Sequence, residues 1–334
     1  MLIQKNWPLI ECNTFGFNVT ASEFISIAHI DQLTELFQSQ QLKRNDIGIL
    51  GGGSNITFTT NFVGLLLKNE IFGKTILDEN SESAIIEFGG GEPWHGAVLH
   101  ALSLNLGGIE NLSLIPGTVG ASPIQNIGAY GVELKDVFHS LSAFHLPTGE
   151  IHHFDAKACE FSYRDSIFKS NPSRFVVTQV RFAIPKKWLA NIQYAELSKQ
   201  FFDNPSPSAK DIFLAVCQIR KNKLPDPNLL GNAGSFFHNP VVSSSQFEVL
   251  KGRFPDIIAN ATITPQGKKY YKLAAGWLID QCGFKGQRMG NVGVYEKQAL
   301  VLVNHGGGTA KDILGLAKCI QDKVHEQFGV KLEI

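Results

Sequence analysis

The strongest constraint on this chain is a glycine-rich segment, residues 115–134, with the sequence IPGTVGASPIQNIGAYGVEL. No charge occurs between residues 111 and 132, yet Pro116, Pro123 and four glycines exclude the unbroken apolar helix that a membrane span needs. Glycine lets the main chain approach a ligand where a Cβ would collide, and successive free N–H groups bind anions. The segment therefore predicts a binding loop for a large, flat, phosphate-bearing cofactor.

Size and charge narrow the class of protein. A chain of 334 residues with 43% apolar residues is expected to form about two globular domains. Thirty basic and thirty acidic side chains cancel, and no long run of either sign occurs, so nothing favours a nucleic acid or an anionic membrane as partner. A small-molecule partner is predicted.

Cysteine usage indicates the compartment and argues against a metal. The five cysteines are odd in number, widely spaced and free of any C-x-x-C pair, which disfavours a disulfide framework or a zinc site. His152 and His153 are neighbours on a predicted strand, where they point to opposite faces and cannot share a metal. The N-terminus lacks the apolar core of a signal peptide, so we expect a cytoplasmic protein without a bound metal.

A second glycine run follows a short apolar strand. IGIL, residues 47–50, leads into Gly51, Gly52, Gly53, Ser54 and Asn55, after which β-branched residues predict another strand. A doubly wound dinucleotide fold needs its glycine turn to open a helix, so that fold is rejected here.

The remaining pattern is α+β. Short strands are predicted at 139–146, 150–154 and 174–184. Helices are predicted from Trp94 to before Gly107, and over 211–221, 273–282 and 310–328, the last with a capping box at Thr309 and Asp312. KLPDP, residues 223–227, predicts a boundary between regions, and the final residues, VKLEI, predict the start of a strand.

Two side chains could carry chemistry. Arg164 in YRDSIFK could orient a carboxylate by a two-pronged hydrogen bond, although an ion pair with Asp165 is the commoner use of such an arginine. Ser235 in GNAGSFFHNP could donate a proton, although a helix cap is the commoner use, and the absence of G-x-S-x-G disfavours a hydrolase. The third glycine run, residues 306–308, is interpreted as a link more readily than as a phosphate site.

Seven motifs in order, covering nearly the whole chain, resemble the UDP-N-acetylenolpyruvoylglucosamine reductase family, in the form with an extra tyrosine-bearing loop. They are NTFG, LGGGSN, the 115–134 segment, YRDSIFK, KLPDP, NAGSFFHNP and KLAAGWLIDQCGFKG. The resemblance implies an α+β fold: an FAD-binding domain of the vanillyl-alcohol oxidase type over 13–185, with subdomains near 13–72 and 73–185. A loop region and helix over 186–224 and a substrate-binding domain over 225–330 would follow.

The resemblance also implies the cofactor and its contacts. FAD would be bound non-covalently, NADPH would reduce it, and the UDP-sugar would enter the same cleft. The residues implied around FAD come from the first two glycine segments: Gly51, Gly52, Gly53, Ser54, Asn55, Ile56, Ile115, Pro116, Gly117, Gly120, Ala121, Ser122, Gln125, Asn126, Gly128 and Gly131.

The reaction implied is reduction of UDP-N-acetylenolpyruvoylglucosamine to UDP-N-acetylmuramate for peptidoglycan synthesis. Arg164 matches the position that stabilises charge on the substrate carboxylate, and Ser235 matches the proton donor. Tyr194, Lys223 and Asn239 match positions that hold the UDP-sugar. A monomer is expected.

Two departures from the family pattern stand out. The family completes its site with a glutamate in a C-terminal Leu-Glu-x-Glu pattern, whereas this chain stops after Leu332, Glu333 and Ile334. Glu333 would lie about 7 Å from the missing residue along a strand, and we expect a truncated chain. His238 stands where relatives often carry lysine.

The alternatives to the reductase function are a flavin- or UDP-sugar-binding protein with little turnover and, ranked last, an oxidase with covalently bound FAD.

Overall fold

The structure, a computed structural model, describes residues 2–263 and 267–334. Contacts divide the chain into two compact units. The first unit contains residues 2–8, 20–53 and 61–222, and the second contains 9–19, 54–60 and the described part of 223–334. Each unit is therefore assembled from segments far apart in sequence.

This division differs from the contiguous domains expected from the sequence. Residues 9–19 pack with the C-terminal part of the chain, where Asn232 N–H donates to Thr14 O at 2.9 Å and Asn304 Nδ2 donates to Phe15 O at 2.9 Å. The helix over 209–222 packs with the first unit. The functional domain boundaries stay a prediction.

The first unit is built on two sheets and a two-stranded hairpin. Their strands are β1 (Gln4–Pro8), β2 (Thr20–Ile27), β3 (Ile47–Leu50), β4 (Phe62–Asn69), β5 (Lys74–Glu79), β6 (Ser83–Gly89), β7 (Gly128–Ala129), β8 (Val132–Glu133), β9 (Phe138–His145), β10 (Glu150–Asp155) and β11 (Phe175–Pro185). Strand order is β1-β2-β4-β3 in one sheet and β10-β9-β11-β6-β5 in the other.

The helices of this unit contribute buried residues to three apolar cores. They are α1 (Ile30–Gln38), α2 (Trp94–Ser103), α3 (Ile167–Ser170), α4 (Ala195–Gln200) and α5 (Ala209–Lys223). α2 starts at Trp94 as predicted, and its Ala97, Val98 and Ala101 are fully buried. α4 was not predicted, because one of its six residues is buried and so short a segment shows little periodicity.

The glycine run after β3 connects two parallel strands without an intervening helix. β3 pairs with β4 in parallel, with Ile47 opposite Leu65. The rejection of a doubly wound dinucleotide fold is therefore confirmed, since no helix begins at this glycine turn.

The second unit has its own sheets and core. Its strands are β12 (Gly231–Ser235), β13 (Val241–Ser243), β14 (Ala259–Ile263), β15 (Lys269–Leu273), β16 (Arg288–Met289), β17 (Val292–Val294) and β18 (Val301–Asn304). Its helices are α6 (Ser244–Arg253), α7 (Ala275–Gln281) and α8 (Ala310–Phe328). Strand orders are β12-β18-β17-β16 and β13-β15-β14, and α8 packs its apolar face into the core.

Sequence signals at the C-terminus were partly right. α8 begins with Thr309 and Asp312 in a capping box, as predicted. The predicted strand over 330–334 is wrong: His238 N–H donates to Glu333 O at 2.8 Å and Gln321 Nε2 to Leu332 O at 2.8 Å, which does not make a ladder. Among the described residues, no helix is long and apolar enough to cross a membrane.

Candidate functional site

The first two glycine segments lie against each other in the first unit. A Cβ added to Gly52 would lie 2.9 Å from Gly117 Cα, and one added to Gly51 would lie 2.7 Å from Thr118 Oγ1. Gly53 and Gly117 have φ of 66° and 118°, which favour glycine. Two backbones that approach this closely form a cradle with no room for side chains at its floor.

A polar atom at this cradle has no partner. Thr118 Oγ1 is buried, and nothing in the described part of the chain donates to it or accepts from it. A buried hydroxyl without a hydrogen bond carries a free-energy cost of about 1–3 kcal/mol. Such an atom between two glycine turns is what a polar ligand would satisfy.

Several residues predicted at the cofactor have internal bonds instead. Asn126 donates to Glu133 Oε2 at 3.0 Å and to Ser162 O at 3.1 Å, and it accepts from Lys135 N–H at 3.1 Å. Ser122 donates its hydroxyl to Val119 O at 2.7 Å. Because their polar atoms are already used within the chain, these side chains fix the shape of the loop itself.

Gly120 also has a packing role. A Cβ there would lie 2.8 Å from Gly90 O, and the Gly120 N–H donates to that same oxygen. The other cofactor contacts implied by the resemblance stay predictions, and of these Ser54, Asn55 and Ile56 belong to the second unit.

Arg164 is held in a strained backbone conformation. Its φ is +57°, a left-handed value that costs a non-glycine residue about 1–3 kcal/mol. Its Nη2 donates to Gly128 O at 2.9 Å. Arg164 and Asp165 form no ion pair; the Asp165 carboxylate accepts from Ser166 N–H at 3.0 Å instead. The structural ion pair considered from the sequence is therefore wrong, and strain at this arginine favours a functional role.

Arg220 is a second cation of this region, and the sequence did not single it out. Its guanidinium lies near enough to the Tyr130 hydroxyl to affect the pKa of both groups, and its buried Nε has no partner among the described residues. Burial lowers the pKa of Arg220, with a smaller contribution in the same direction from Arg164. Burial also raises the pKa of Tyr130 to about 12. Two nearby guanidiniums and a neutral phenol favour an anionic ligand.

His95 was also missed. Its Nδ1 accepts from Leu114 N–H at 3.1 Å, and its ring stacks on Phe213 with centroids 5.7 Å apart. Burial lowers the pKa of His95, and the charges of Lys221 and Arg220 lower it further. The neutral imidazole thus holds Leu114, whose φ is +54°, at the entrance to the glycine segment.

Tyr194 lies on the glycine segment in the first unit. Its ring meets that of Tyr130 edge to face, with centroids 5.0 Å apart and an angle of 77°. Its side chain is 45% exposed, so the ring keeps a free surface. Tyr194 directly precedes α4.

The second unit presents its candidates at the ends of regular elements. Ser235 is the last residue of β12, is exposed, and follows Gly234, whose φ is +72°. It caps no helix, so the capping interpretation is wrong. Asn239 Oδ1 accepts from Ala275 N–H at 2.9 Å at the start of α7, which leaves its amide donors for a ligand. Lys223 ends α5.

The backbone N–H groups of the third glycine run donate to a side chain of the protein itself. Asn304 Oδ1 accepts from Gly306 N–H at 3.1 Å and from Gly308 N–H at 3.0 Å. Two of the donors that a phosphate would need are thus already bonded. Nearby, residues within 10–16, 227–231 and 304–306 line a cavity of about 500 Å³, which contains none of the predicted site residues.

Comparison with known proteins decides the family. The chain is 52% identical over 332 residues to a UDP-N-acetylenolpyruvoylglucosamine reductase from Polynucleobacter asymbioticus, an alignment that covers 99% of this chain and 95% of that protein. The chain belongs to the UDP-N-acetylenolpyruvoylglucosamine reductase family. A second reductase of that name, from Burkholderia vietnamiensis, is 47% identical over 98% of this chain and 94% of its own length.

Family models match both parts of the chain. Residues 226–334 match the C-terminal domain of UDP-N-acetylenolpyruvoylglucosamine reductase, and residues 22–155 match an FAD-binding domain. The crystal structure of the reductase from Thermus caldophilus aligns over 99% of this chain and 98% of its own, with a TM-score of 0.67 and 22% identity. That likeness confirms the predicted α+β flavoenzyme fold.

FAD is the cofactor of this reductase family member, and the cradle fits it. At the floor, Gly51, Gly52 and Gly117 bring bare backbone together without side chains, which suits a group bound through backbone N–H, and Thr118 Oγ1 is an unused polar atom beside it. The described residues contain no group of three or more His, Cys, Asp and Glu side chains placed to hold a metal. Thr118, Arg220 and His95 escaped sequence analysis because each acquires its environment from residues distant in sequence.

Proposed function

We propose that this chain reduces UDP-N-acetylenolpyruvoylglucosamine to UDP-N-acetylmuramate with NADPH, a step of peptidoglycan precursor synthesis. FAD held at Gly51, Gly52 and Gly117 would supply the chemistry of hydride transfer between NADPH and the UDP-sugar. The observation that carries the proposal is Arg164, which is strained at φ +57° and donates a hydrogen bond to Gly128 O in the second glycine segment. This chain's own residues would bind, orient and protonate the enolpyruvyl group.

The charge of Arg164 supports its catalytic role. Hydride addition to the vinyl carbon pushes negative charge towards the substrate carboxylate, so a fixed cation stabilises that state more than the ground state. Because the hydrogen bond to Gly128 O holds the Arg164 guanidinium in place, little reorganisation is needed when charge develops. Arg220 adds a second positive charge to the region.

Ser235 is proposed as the proton donor. Its side chain is exposed at the end of β12, where the hydroxyl can turn towards a ligand. A serine hydroxyl is a weak acid, so its work depends on the basicity of the accepting carbon and on a proton source behind it. Three further residues are proposed to hold the UDP-sugar: Tyr194 through the face of its ring, Lys223 through its charge at the diphosphate, and Asn239 through its amide donors.

A cytoplasmic monomer is proposed, with NADPH and the UDP-sugar as its partners and no nucleic acid or membrane. None of the five cysteines, all of which lie in the described part of the chain, forms a disulfide, as suits a reducing compartment. The balance of thirty basic and thirty acidic side chains gives no electrostatic reason to bind a polyanion.

The test is substrate-dependent NADPH oxidation by the purified, FAD-loaded protein. We expect oxidation with UDP-N-acetylenolpyruvoylglucosamine, and a product heavier by two hydrogen atoms in mass spectrometry. UDP-N-acetylglucosamine, which lacks the enolpyruvyl group, is the matched control and should support no oxidation. Equal NADPH consumption with both sugars, or none with either, would contradict the proposal.

A further inference from the structure

The segment that leads to Tyr194 is attached to the first unit at three successive points. Trp188 packs on Gly107, where an added Cβ would lie 2.7 Å from the indole. Asn191 Nδ2 donates to Gly131 O at 2.9 Å. Tyr194 then meets the ring of Tyr130. The loop is therefore anchored by specific contacts along its length.

Asn111 joins the second anchor to the glycine segment. Its side chain is fully buried, and its Nδ2 donates to both Tyr130 O and Asn191 O at 2.9 Å. Both partners are carbonyl oxygens, which only accept, so the amide group must face them. Asn111 thus uses both amide hydrogens to hold the loop against residue 130.

The same short stretch of backbone also holds Arg164. The Gly128 carbonyl accepts from Arg164, the Tyr130 carbonyl from Asn111, and the Gly131 carbonyl from Asn191. Three carbonyls within four residues therefore fix a catalytic arginine on one side and the tyrosine loop on the other. Tyr130 and Gly131 have φ of 49° and 85°, left-handed values that mark a tight turn of this backbone.

We propose that Asn111 and Asn191 are positioning residues for Tyr194. By fixing the phenol ring of Tyr194 relative to Arg164, they set the affinity for the UDP-sugar. This inference rests on the proposed function. Neither asparagine needs to touch the substrate. Their effect passes through the hydrogen bonds to residues 130 and 131.

The first test is kinetic and uses the FAD-loaded protein. Loss of one such hydrogen bond corresponds to about a tenfold change in an equilibrium constant. We expect Asn191→Ala to raise KM for the UDP-sugar about tenfold, with the rate of flavin reduction by NADPH changed less than about twofold. Asn204→Ala is the matched control, because the Asn204 side chain accepts from Ser206 N–H, two residues away, and in the described part of the chain it bonds to no distant segment. A KM equal to that of the control would overturn the proposal.

A double-mutant cycle separates positioning from general loosening. If Asn191 acts through Tyr194, adding Asn191→Ala to Tyr194→Ala should raise KM by less than about twofold further. Additive effects of the two substitutions would contradict the inference. Asn111→Ala, at a buried site, is expected to match Asn191→Ala in direction, and the conclusion does not depend on its folding.

Limited trypsin digestion provides a readout that needs no turnover. Lys186, Lys187 and Lys199 are cleavage sites around the anchored segment. Asn191→Ala should be cut there faster than wild type and Asn204→Ala, and equal rates would count against the anchor. A wild type that oxidises no NADPH would contradict the proposed function alone, since the digestion still tests the anchor.

Discussion

The two units hold their candidate residues in different ways. In the first unit the backbone holds the candidate residues. A Cβ added to Gly52 would lie 2.9 Å from Gly117 Cα, and the carbonyls of residues 128, 130 and 131 accept hydrogen bonds from Arg164, Asn111 and Asn191, respectively. In the second unit, Ser235 ends a strand, and Asn239 accepts a hydrogen bond from Ala275 N–H at the start of α7. Changes in the first unit should therefore disturb geometry, whereas changes at Ser235 should remove chemistry alone.

The largest expected effect is at Ser235. Ser235→Ala should slow reoxidation of the flavin by the UDP-sugar about 10²–10⁴-fold, the usual contribution of a general acid. Reduction by NADPH should stay nearly unchanged, since the exposed side chain supports no other element. Stopped-flow flavin absorbance separates the two half-reactions, with the exposed Ser245→Ala as control. Equal losses in both half-reactions would contradict the proton-donor role.

Arg164 tests the first unit in the same assay. Arg164→Met should lower kcat about 10²–10³-fold, as loss of a positioned charge-stabilising donor does. The exposed Arg174→Met, in the same unit, is the control and should retain activity. If both variants keep wild-type kcat, Arg164 is not catalytic.

Gly52 tests the cradle. Gly52→Ala places a Cβ 2.9 Å from Gly117 Cα, and overpacking of this kind costs about 1–3 kcal/mol. We expect the Kd for FAD to rise roughly tenfold to a hundredfold, measured by quenching of flavin fluorescence. Gly96→Ala is the control, because its added Cβ meets nothing closer than Pro93 Cβ at 3.8 Å. Similar Kd values for both variants would show that the floor is not in contact with FAD.

The smallest expected effect is the pH dependence of His95. Its pKa is lowered by burial, so the unfolded chain binds the proton more readily than the folded protein. The neutral ring's contribution to the free energy of unfolding is fully present above about pH 6.5, the ordinary pKa of histidine. It is lost as the pH falls through the lower pKa of the folded state. Loss of its hydrogen bond, about 1 kcal/mol, should lower Tm by roughly 2–4 °C.

Thermal unfolding of wild type and His95→Gln between pH 8 and pH 5 checks this. The Tm of the wild type should decrease more than that of the variant as the pH falls from 8 to 5. His145 and His305 also have pKa values lowered by burial, and both remain in the variant, so the difference isolates His95. Identical pH profiles would show that His95 does not titrate with folding.

Sequence predicted the glycine-based half of the site because its requirement is local. Gly117 needs φ of 118°, a local requirement. The need at Gly52 comes from contact with the distant Gly117, but it too is met by glycine and so is visible in the residue type. Burial by distant residues leaves the Thr118 hydroxyl without a partner and lowers the pKa of Arg220 and of His95. A local sequence pattern does not contain this information. Ser235 and Asn239 were identified by family resemblance.

The strand predicted at residues 330–334 failed for a related reason. Apolar alternation can favour an extended chain, but a strand also needs a continuous partner. Glu333 O accepts one backbone hydrogen bond from His238. Helix α8, by contrast, carries its capping box and apolar stripe within its own sequence, and it was predicted correctly.

The central claim is that the two glycine segments of the first unit are the FAD cradle, and amide hydrogen exchange tests it most directly. Exchange would be followed by mass spectrometry in the FAD-free and FAD-loaded protein. We predict that FAD slows exchange at residues 51–53 and 115–120 more than in peptides from α8. Unchanged exchange at both glycine segments, with protection elsewhere, would contradict the account.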